Sequence, residues 1–487
     1  MEQLNYSKTK NDLKGPKGLP LVGNIFDFDM SKIHLLYEQW ADEFGSLYNI
    51  NILGKKITVS TDPETNAYVL KHRPTKFRRL QKMADVIEEV GVNGVFSAEG
   101  ETWKKHRKVT QKALSNKNIR SFFPTILRIS ERLTNYWNKI EGIENYAIDQ
   151  DFEKITVDVT TLLAFGYDLN SLENDVDEIR VHINNIFPKV NSRINSPIPL
   201  WKYYKTKSDK EFDNSINYLK DVLGGIIETT QQKMAEDSDL HENPTNFLEA
   251  MIASEDKEDP FTNDEIFGNV YTMLLAGEDT TSNSLSWITY LLAANPAIKD
   301  KIQHEIDEVL KGEKLSSFQQ LNDFPYLSSV IKETLRLKPV SPNLYMQALE
   351  DVVVSDVFFP KGSMIITQLS HAQRRDKYFA EASTFAPERW TEREETKGCP
   401  YHKNHKPEAM KPFGGGARLC PGMFLSETEM KVFVIALFQD FDVTLDVAPE
   451  EVKELFAFTM SPQNLKVNLK KRLLQKEKNV NTESVFQ

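Results

Sequence analysis

Thr262-Asn263-Asp264-Glu265 is a capping box, and from it a mainly apolar pattern of helical period runs on until Pro296 stops it. A helix this long and this apolar is expected to be buried all round. Inside it lies Ala276-Gly277-Glu278-Asp279-Thr280-Thr281, where small, acidic and hydroxyl residues interrupt Met273-Leu274-Leu275 on one side and Leu285, Trp287 and Ile288 on the other. Polar groups in a buried helix need a reason. Ala276 and Thr280 are four apart and share a face, where Ala276 and Gly277 leave room for a ligand beside the backbone. Thr280 can bond the carbonyl one turn back, which loosens the ladder and admits water. A helix turned outward at this point, or a kink of purely structural use, accounts for the same residues.

The second constraint is the loop Pro412-Phe413-Gly414-Gly415-Gly416-Ala417-Arg418-Leu419-Cys420-Pro421-Gly422. It offers one thiol among residues too small to block something large and flat. Three consecutive glycines allow backbone conformations closed to other residues, and backbone N–H groups turned toward sulfur would stabilise a thiolate. Such a thiolate suits haem iron, onto which it pushes electron density that favours O–O cleavage. Arg418 is then within reach of a haem propionate. A glycine-rich turn before a cysteine that serves as a small core hydrophobe reads equally well from this loop alone.

The chain has 487 residues, 40% of them hydrophobic and 27% charged, with no linker-like segment and no internal repeat, so one large, mostly helical unit is expected. A helix is expected at 31–44 and strands at 47–52, 56–60, 352–359, 364–369, 442–445 and 465–469. No apolar run is long enough to span a bilayer, and the first fourteen residues lack the apolar segment of a signal peptide, so a cytoplasmic protein is expected. Only Cys399 and Cys420 are present, which fits a reducing compartment. Cys399-Pro400-Tyr401-His402 looks like a metal half-site, but zinc wants four ligands and no second cysteine pair completes them. The net charge of −11 argues against a nucleic-acid partner.

The spacing Phe413-x-x-Gly416-x-Arg418-x-Cys420-x-Gly422 closely resembles the haem-binding signature of the cytochrome P450 family, and further family motifs follow in the family's order from about residue 15 to about residue 469. The resemblance implies a mainly α, P450-like fold, a large α-rich domain with a small β-rich subdomain, of the soluble, bacterial type. One catalytic domain at 15–475 would lie between polar tails at 1–14 and 476–487. It implies haem b, with Cys420 as the axial iron ligand and Phe413, Gly414, Gly422, Ala276 and Gly277 around the cofactor. Asp279 matches the acid and Thr280 the alcohol of a proton relay that serves O–O cleavage. Glu333 and Arg336, three apart on one helix, match with Arg389 a buried charged network behind the cysteine loop. Trp103 and Arg107 match a pair that reaches a propionate. Two departures stand out. Around Tyr345-Met346-Gln347-Ala348 many relatives carry an Arg or His for a propionate and this chain has none, and Arg374-Arg375-Asp376 replaces the more usual His-Arg-Asp.

The activity implied is O2-dependent hydroxylation or epoxidation of a hydrophobic small molecule such as a fatty acid, terpenoid or steroid-like compound. Val86, Ile87, Val90, Phe96, Val340, Leu344, Phe458 and Met460 are expected to line the pocket, under a proline- and aromatic-containing lid at 186–204. No flavin- or iron–sulfur-binding segment is evident, so electrons from NAD(P)H are expected through a reductase and a ferredoxin or flavodoxin. These would dock on the basic stretch that holds Lys104, Lys105, Lys108 and Lys112. A monomer is expected. A peroxygenase or peroxide-rearranging enzyme that needs no reductase, and a haem-thiolate sensor without turnover, remain the alternative readings.

Overall fold

The computed structural model describes residues 5–472 except 92, 175–177, 197, 255–258, 392–399 and 403–404. Cys399 and the expected tail at 476–487 therefore lie outside the described residues. The long helix runs over Asn263–Ala294. At its start the Thr262 amide donates to Glu265 Oε2 (2.9 Å) and the Glu265 amide to Thr262 Oγ1 (3.2 Å), the reciprocal cap that the sequence signals. Pro296 opens the following helix, Pro296–Leu310.

The main core forms around this helix. In the helix Asn116–Lys139, Ile119, Phe123, Ile126, Ile129, Leu133 and Trp137 recur at steps of three and four and bury one stripe. They pack with the helices Asp149–Phe165, Pro325–Leu337 and Met423–Asp440 and with Leu285, Ile288 and Leu292 of the central helix. Trp137 Nε1 donates to Asp151 Oδ2 at 2.7 Å, so the largest apolar body in the stripe leaves no buried donor unpaired. Where the helix Asp149–Phe165 crosses the central helix, a Cβ on Gly277 would come within 2.6 Å of Thr160 Oγ1. The close crossing requires glycine there.

The β-rich part holds a five-stranded sheet in the spatial order Leu47–Ile52, Lys55–Ser60, Met364–Gln368, Asn343–Ala348, Phe77–Arg79. The Lys55–Ser60 and Met364–Gln368 pair is parallel and the other neighbours are antiparallel. The register sets Arg79 opposite Met346 and Arg78 opposite Gln347. The strand expected at 352–359 is instead a hairpin, Val352–Val354 with Val357–Phe359, because Ser355 and Asp356 both take left-handed backbone (φ 49° and 63°). Residues expected to form an N-terminal tail are tied down: Lys8–Thr9 pairs with the Val357–Phe359 edge, and the Tyr6 ring stacks 4.8 Å from that of Phe358. An exposed edge strand offers unpaired backbone groups that a polar segment can satisfy as well as an apolar one.

A small hairpin, Lys453–Phe456 with Met460–Gln463, carries residues 457–459 in its turn. Glu454 anchors it by accepting hydrogen bonds from Lys338 Nζ (2.5 Å) and Arg374 Nη2 (3.1 Å) and by pairing with His34 Nε2 (2.8 Å). Burial raises the cost of its charge, but Arg374, His34 and Lys338 hold the carboxyl well below the usual range. A depressed carboxyl contributes stability above its unfolded pKa and loses it as pH falls toward the folded one. Glu454→Gln should therefore lower the unfolding free energy at pH 7 by about 3–5 kcal/mol. In urea titrations the gap between variant and wild type should close as the pH drops below about 4.

Candidate active site

Glu333 is the hub of the site's support. Its carboxylate accepts both Nε (2.8 Å) and Nη2 (2.7 Å) of Arg336, the Arg389 Nε (3.3 Å), the Ala386 amide (3.0 Å) and Trp390 Nε1 (2.8 Å). All three charged side chains are fully buried, at 0% exposure. The remaining guanidinium donors go to the carbonyls of Gln373, Ala382 and Thr384 from Arg336, and of Ala380 and Tyr401 from Arg389. The network thus staples a long irregular stretch to the helix Pro325–Leu337. The three residues that the sequence grouped are in contact.

The cysteine loop closes on itself through Cys420 N–H to Phe413 O (3.0 Å). Gly416 has φ 66°, and a Cβ there would meet Leu70 O at 2.3 Å, so this position has to be glycine. Gly414 also lies in the left-handed region (φ 75°), and Gly422 N-caps the helix Met423–Asp440. Backbone N–H groups of Gly422 and Met423 donate toward the Cys420 sulfur, which sits at the N-terminus of that helix. Burial pushes the thiol up, while those two donors and the charge of Arg107 pull it down. Cys420 is exposed even so, which makes it a thiol lining a recess within the protein. Ala276, midway along an otherwise buried helix, is exposed as well.

Cations gather at the same recess. Arg418 lies 4.2 Å over the Trp103 ring and donates to Ala98 O (2.8 Å) and to the Glu99 carboxylate. Arg73, Arg79 and Arg418 all interact with Glu99, the carboxylate their charges share. Burial, with Arg73 and Arg418 beside it, makes the charge on Arg79 costly. Trp103 Nε1, Arg107 Nε, Arg79 Nε, Arg418 Nε, and Nε and Nη2 of Arg73 are buried with no hydrogen-bond partner. Buried donors and surplus positive charge of this kind demand an anion. A haem fits the donor set: Cys420 for its iron, and Trp103, Arg107, Arg418 and the two further arginines for its two carboxylates.

Arg73 and Arg79 were not singled out in the sequence. The signal for Arg79 was the missing cation near Met346, the residue it pairs with across the sheet. Gly277 departs from expectation in the other direction. The space beside it is taken by Thr160, so it serves the helix crossing rather than the recess. Lys105 does too: it is tied to Asp259 (2.9 Å) and Glu265 (3.0 Å), which leaves Lys104, Lys108 and Lys112 on the exposed side of the helix Gly100–Ala113.

Thr280 donates to Ala276 O at 2.9 Å within an unbroken helix. Asp279 accepts hydrogen bonds from Thr459 Oγ1 and from Asn283 Nδ2 (3.1 Å), and burial raises its pKa against the pull of both. The pocket candidates fall in three apolar clusters. Val86, Ile87 and Val90 pack with Phe96 and Phe458, whose rings are 6.1 Å apart, Val340 and Met460 share a second cluster, and Leu344 packs in a third.

Comparison with known proteins agrees with this geometry. The model of the family described as Cytochrome P450 matches residues 13–469. A relative in Arabidopsis thaliana, the protein LUTEIN DEFICIENT 5, chloroplastic, is 25% identical over 90% of this chain and 74% of its own. The self-sufficient cytochrome P450 monooxygenase CYP505U2 of Exserohilum turcicum (strain 28A) is 28% identical over 93% of this chain, which spans only 42% of that protein's length. The cytochrome P450DA heme domain superimposes with a TM-score of 0.83 at 21% identity, over 97% of this chain and all of that one. With a cysteine at a helix N-terminus, a cation-rich recess and the family model matched across nearly its whole length, this chain belongs to the cytochrome P450 family of haem-thiolate monooxygenases.

Proposed function

We propose that the protein takes two electrons, one at a time, from a separate ferredoxin or flavodoxin and inserts one atom of O2 into a hydrophobic small molecule. A fatty acid, terpenoid or steroid-like compound is the class proposed. The balance is substrate C–H, O2, two electrons and two protons going to C–OH and water; an epoxide forms where the substrate offers a double bond. The observation that carries this reading is the Cys420 thiol, held by two backbone N–H groups at a helix N-terminus and flanked by cationic donors with nothing to bond. Haem held there would supply the iron chemistry that activates O2, and Cys420 would supply the thiolate whose electron density favours O–O cleavage. Arg107 and the donors from Gly422 and Met423 hold negative charge on sulfur. Trp103, Arg79, Arg418 and Arg73 hold carboxylates. Asp279 supplies protons from a site that keeps them to higher pH than an exposed aspartate would, and Thr280 hands them on. Apolar side chains around Phe96 and Phe458 exclude bulk water and hold the substrate by burial.

The acid–alcohol pair supports a monooxygenase over a peroxygenase. NAD(P)H is the ultimate electron source in this reading, and the cytoplasm is the compartment proposed, although the Arabidopsis thaliana relative is by name a chloroplastic protein. Among the described residues no helix is long and apolar enough to cross a membrane.

Cys420→Ser should abolish the thiolate-type absorbance of the reduced carbon monoxide complex, and a variant that keeps it would overturn the ligand assignment. Asp279→Asn should cut substrate turnover by about a hundredfold, at the low end of general acid–base contributions. Haem content and substrate-induced spin shift should stay as in the wild type. For the electron-transfer surface, stopped-flow reduction of Lys104→Glu plus Lys108→Glu by an acidic ferredoxin should be slower and less salt-dependent than wild type, since steering acts on encounter rate.

A further inference from the structure

Asp279 is half-buried, without a cationic partner among the described residues, and its two oxygens are each accounted for by a neutral donor. Thr459 Oγ1 donates to one oxygen. Asn283 Nδ2 lies 3.1 Å from the other and also 3.1 Å from Thr459 Oγ1, which closes a triangle of three side chains. Asn283 is one helical turn beyond Asp279, but Thr459 comes from a different part of the chain, the turn of the small hairpin. That turn is braced against the central helix a second time, by Trp287 Nε1 donating to Met460 O (3.1 Å), and against residue 340 by the Met460 amide donating to Val340 O (2.9 Å). Its next side chain back, Phe458, packs toward Phe96 in the apolar cluster assigned to substrate.

We infer that Thr459 is a positioning residue: with Asn283 it clamps the Asp279 carboxylate in one orientation and joins it mechanically to the turn that carries Phe458. The inference rests on the reading of Asp279 as the relay acid and assigns what holds that acid. A half-buried carboxylate with only neutral partners has no strong Coulomb anchor, so hydrogen-bond geometry fixes its rotamer. Without the Thr459 hydroxyl the carboxylate keeps one donor and gains freedom to turn away. Protons then arrive out of place, and electrons leave as hydrogen peroxide (O2, two electrons and two protons) instead of reaching product. Because Phe458 and Thr459 are adjacent on one short turn, a molecule that displaces Phe458 moves the clamp as well.

The test compares haem-loaded wild type, Thr459→Val, Thr459→Ser, Asn283→Ala and Asp279→Asn. The first readout involves no turnover. The ionisation midpoint of Asp279, followed by the infrared carboxyl band that Asp279→Asn removes, should move upward in Thr459→Val, because a donor to the charged form has gone, and return toward wild type in Thr459→Ser. The second is hydrogen peroxide released per NADPH, with a surrogate ferredoxin and reductase and dodecanoic acid as the probe occupying the pocket. Thr459→Val should lower the ratio of product to peroxide by about tenfold, the weight of one hydrogen bond to a charged group. Dodecanoic acid should bind as it does to wild type, and Thr459→Val should add nothing in the Asp279→Asn background. An unmoved midpoint and unchanged peroxide yield in Thr459→Val, beside a raised yield in Asp279→Asn, would remove the clamp and leave the relay standing. Wild-type yield in Asp279→Asn would remove the relay itself. If Thr459→Val fails to load haem, Asn283→Ala decides the same question from the helix side, with the same directions expected.

Discussion

The rest of the site depends on a carboxylate that never meets water. Glu333 is fully buried, and its charge is tolerable only because two guanidiniums, a backbone amide and an indole N–H are delivered to it from separate stretches of chain. Each donor is in turn fixed by what else it bonds. Arg336 reaches the carbonyls of Gln373, Ala382 and Thr384, and Arg389 those of Ala380 and Tyr401. Irregular backbone at residues 373–391, and at Tyr401, would otherwise have carbonyls to satisfy and little secondary structure to satisfy them with. The network does in side chains what a sheet does in backbone, and the cysteine loop follows directly after it in the chain.

Charge is balanced differently at the recess. Around Glu333 donors and acceptors match; around Glu99 they do not, with three arginines sharing one carboxylate and several buried N–H groups left over. A protein that pays for such an imbalance in stability does so because a ligand completes it. Unmatched N–H groups of Trp103, Arg107 and Arg418 lie in this recess, where they suit the acidic edge of a bound haem.

What could be read from the sequence was what local chemistry encodes. The central helix starts and stops where its capping box and proline say, because those signals act within one turn. The strands at 47–52 and 56–60 were equally legible from pattern, and the fold class from the family motifs. The hairpin at Ser355-Asp356 was not, since the pair lacks the glycine that usually marks a two-residue hairpin turn. Arg79 was missed for a different reason. Its importance comes from strand register, which pairs it with a residue far along the chain, and no single-segment pattern records that. Lys105 was assigned to the docking face because its partners, Asp259 and Glu265, lie some 150 residues downstream. Gly277 was read as room for a ligand because sequence cannot say which neighbour fills the room, and Thr160 does.

Two carboxylates, the fully buried Glu333 and the half-buried Asp279, show how one residue chemistry is put to opposite uses. Glu333 is tied by two guanidiniums that are themselves buried, so removing it would strand their charges in a dry interior. Asp279 is half-buried and receives only a hydroxyl and an amide, which stabilise its charge less than its burial destabilises it, and its pKa rises. Neutral donors also leave the carboxylate its identity in either protonation state, since a hydroxyl can donate to the anion or accept from the acid. A cation in place of Thr459 would have tied Asp279 in an ion pair, as Glu333 is tied by its two arginines. In the relay proposed here, a threonine on the hairpin turn lets a half-buried acid stay in place and still trade its proton.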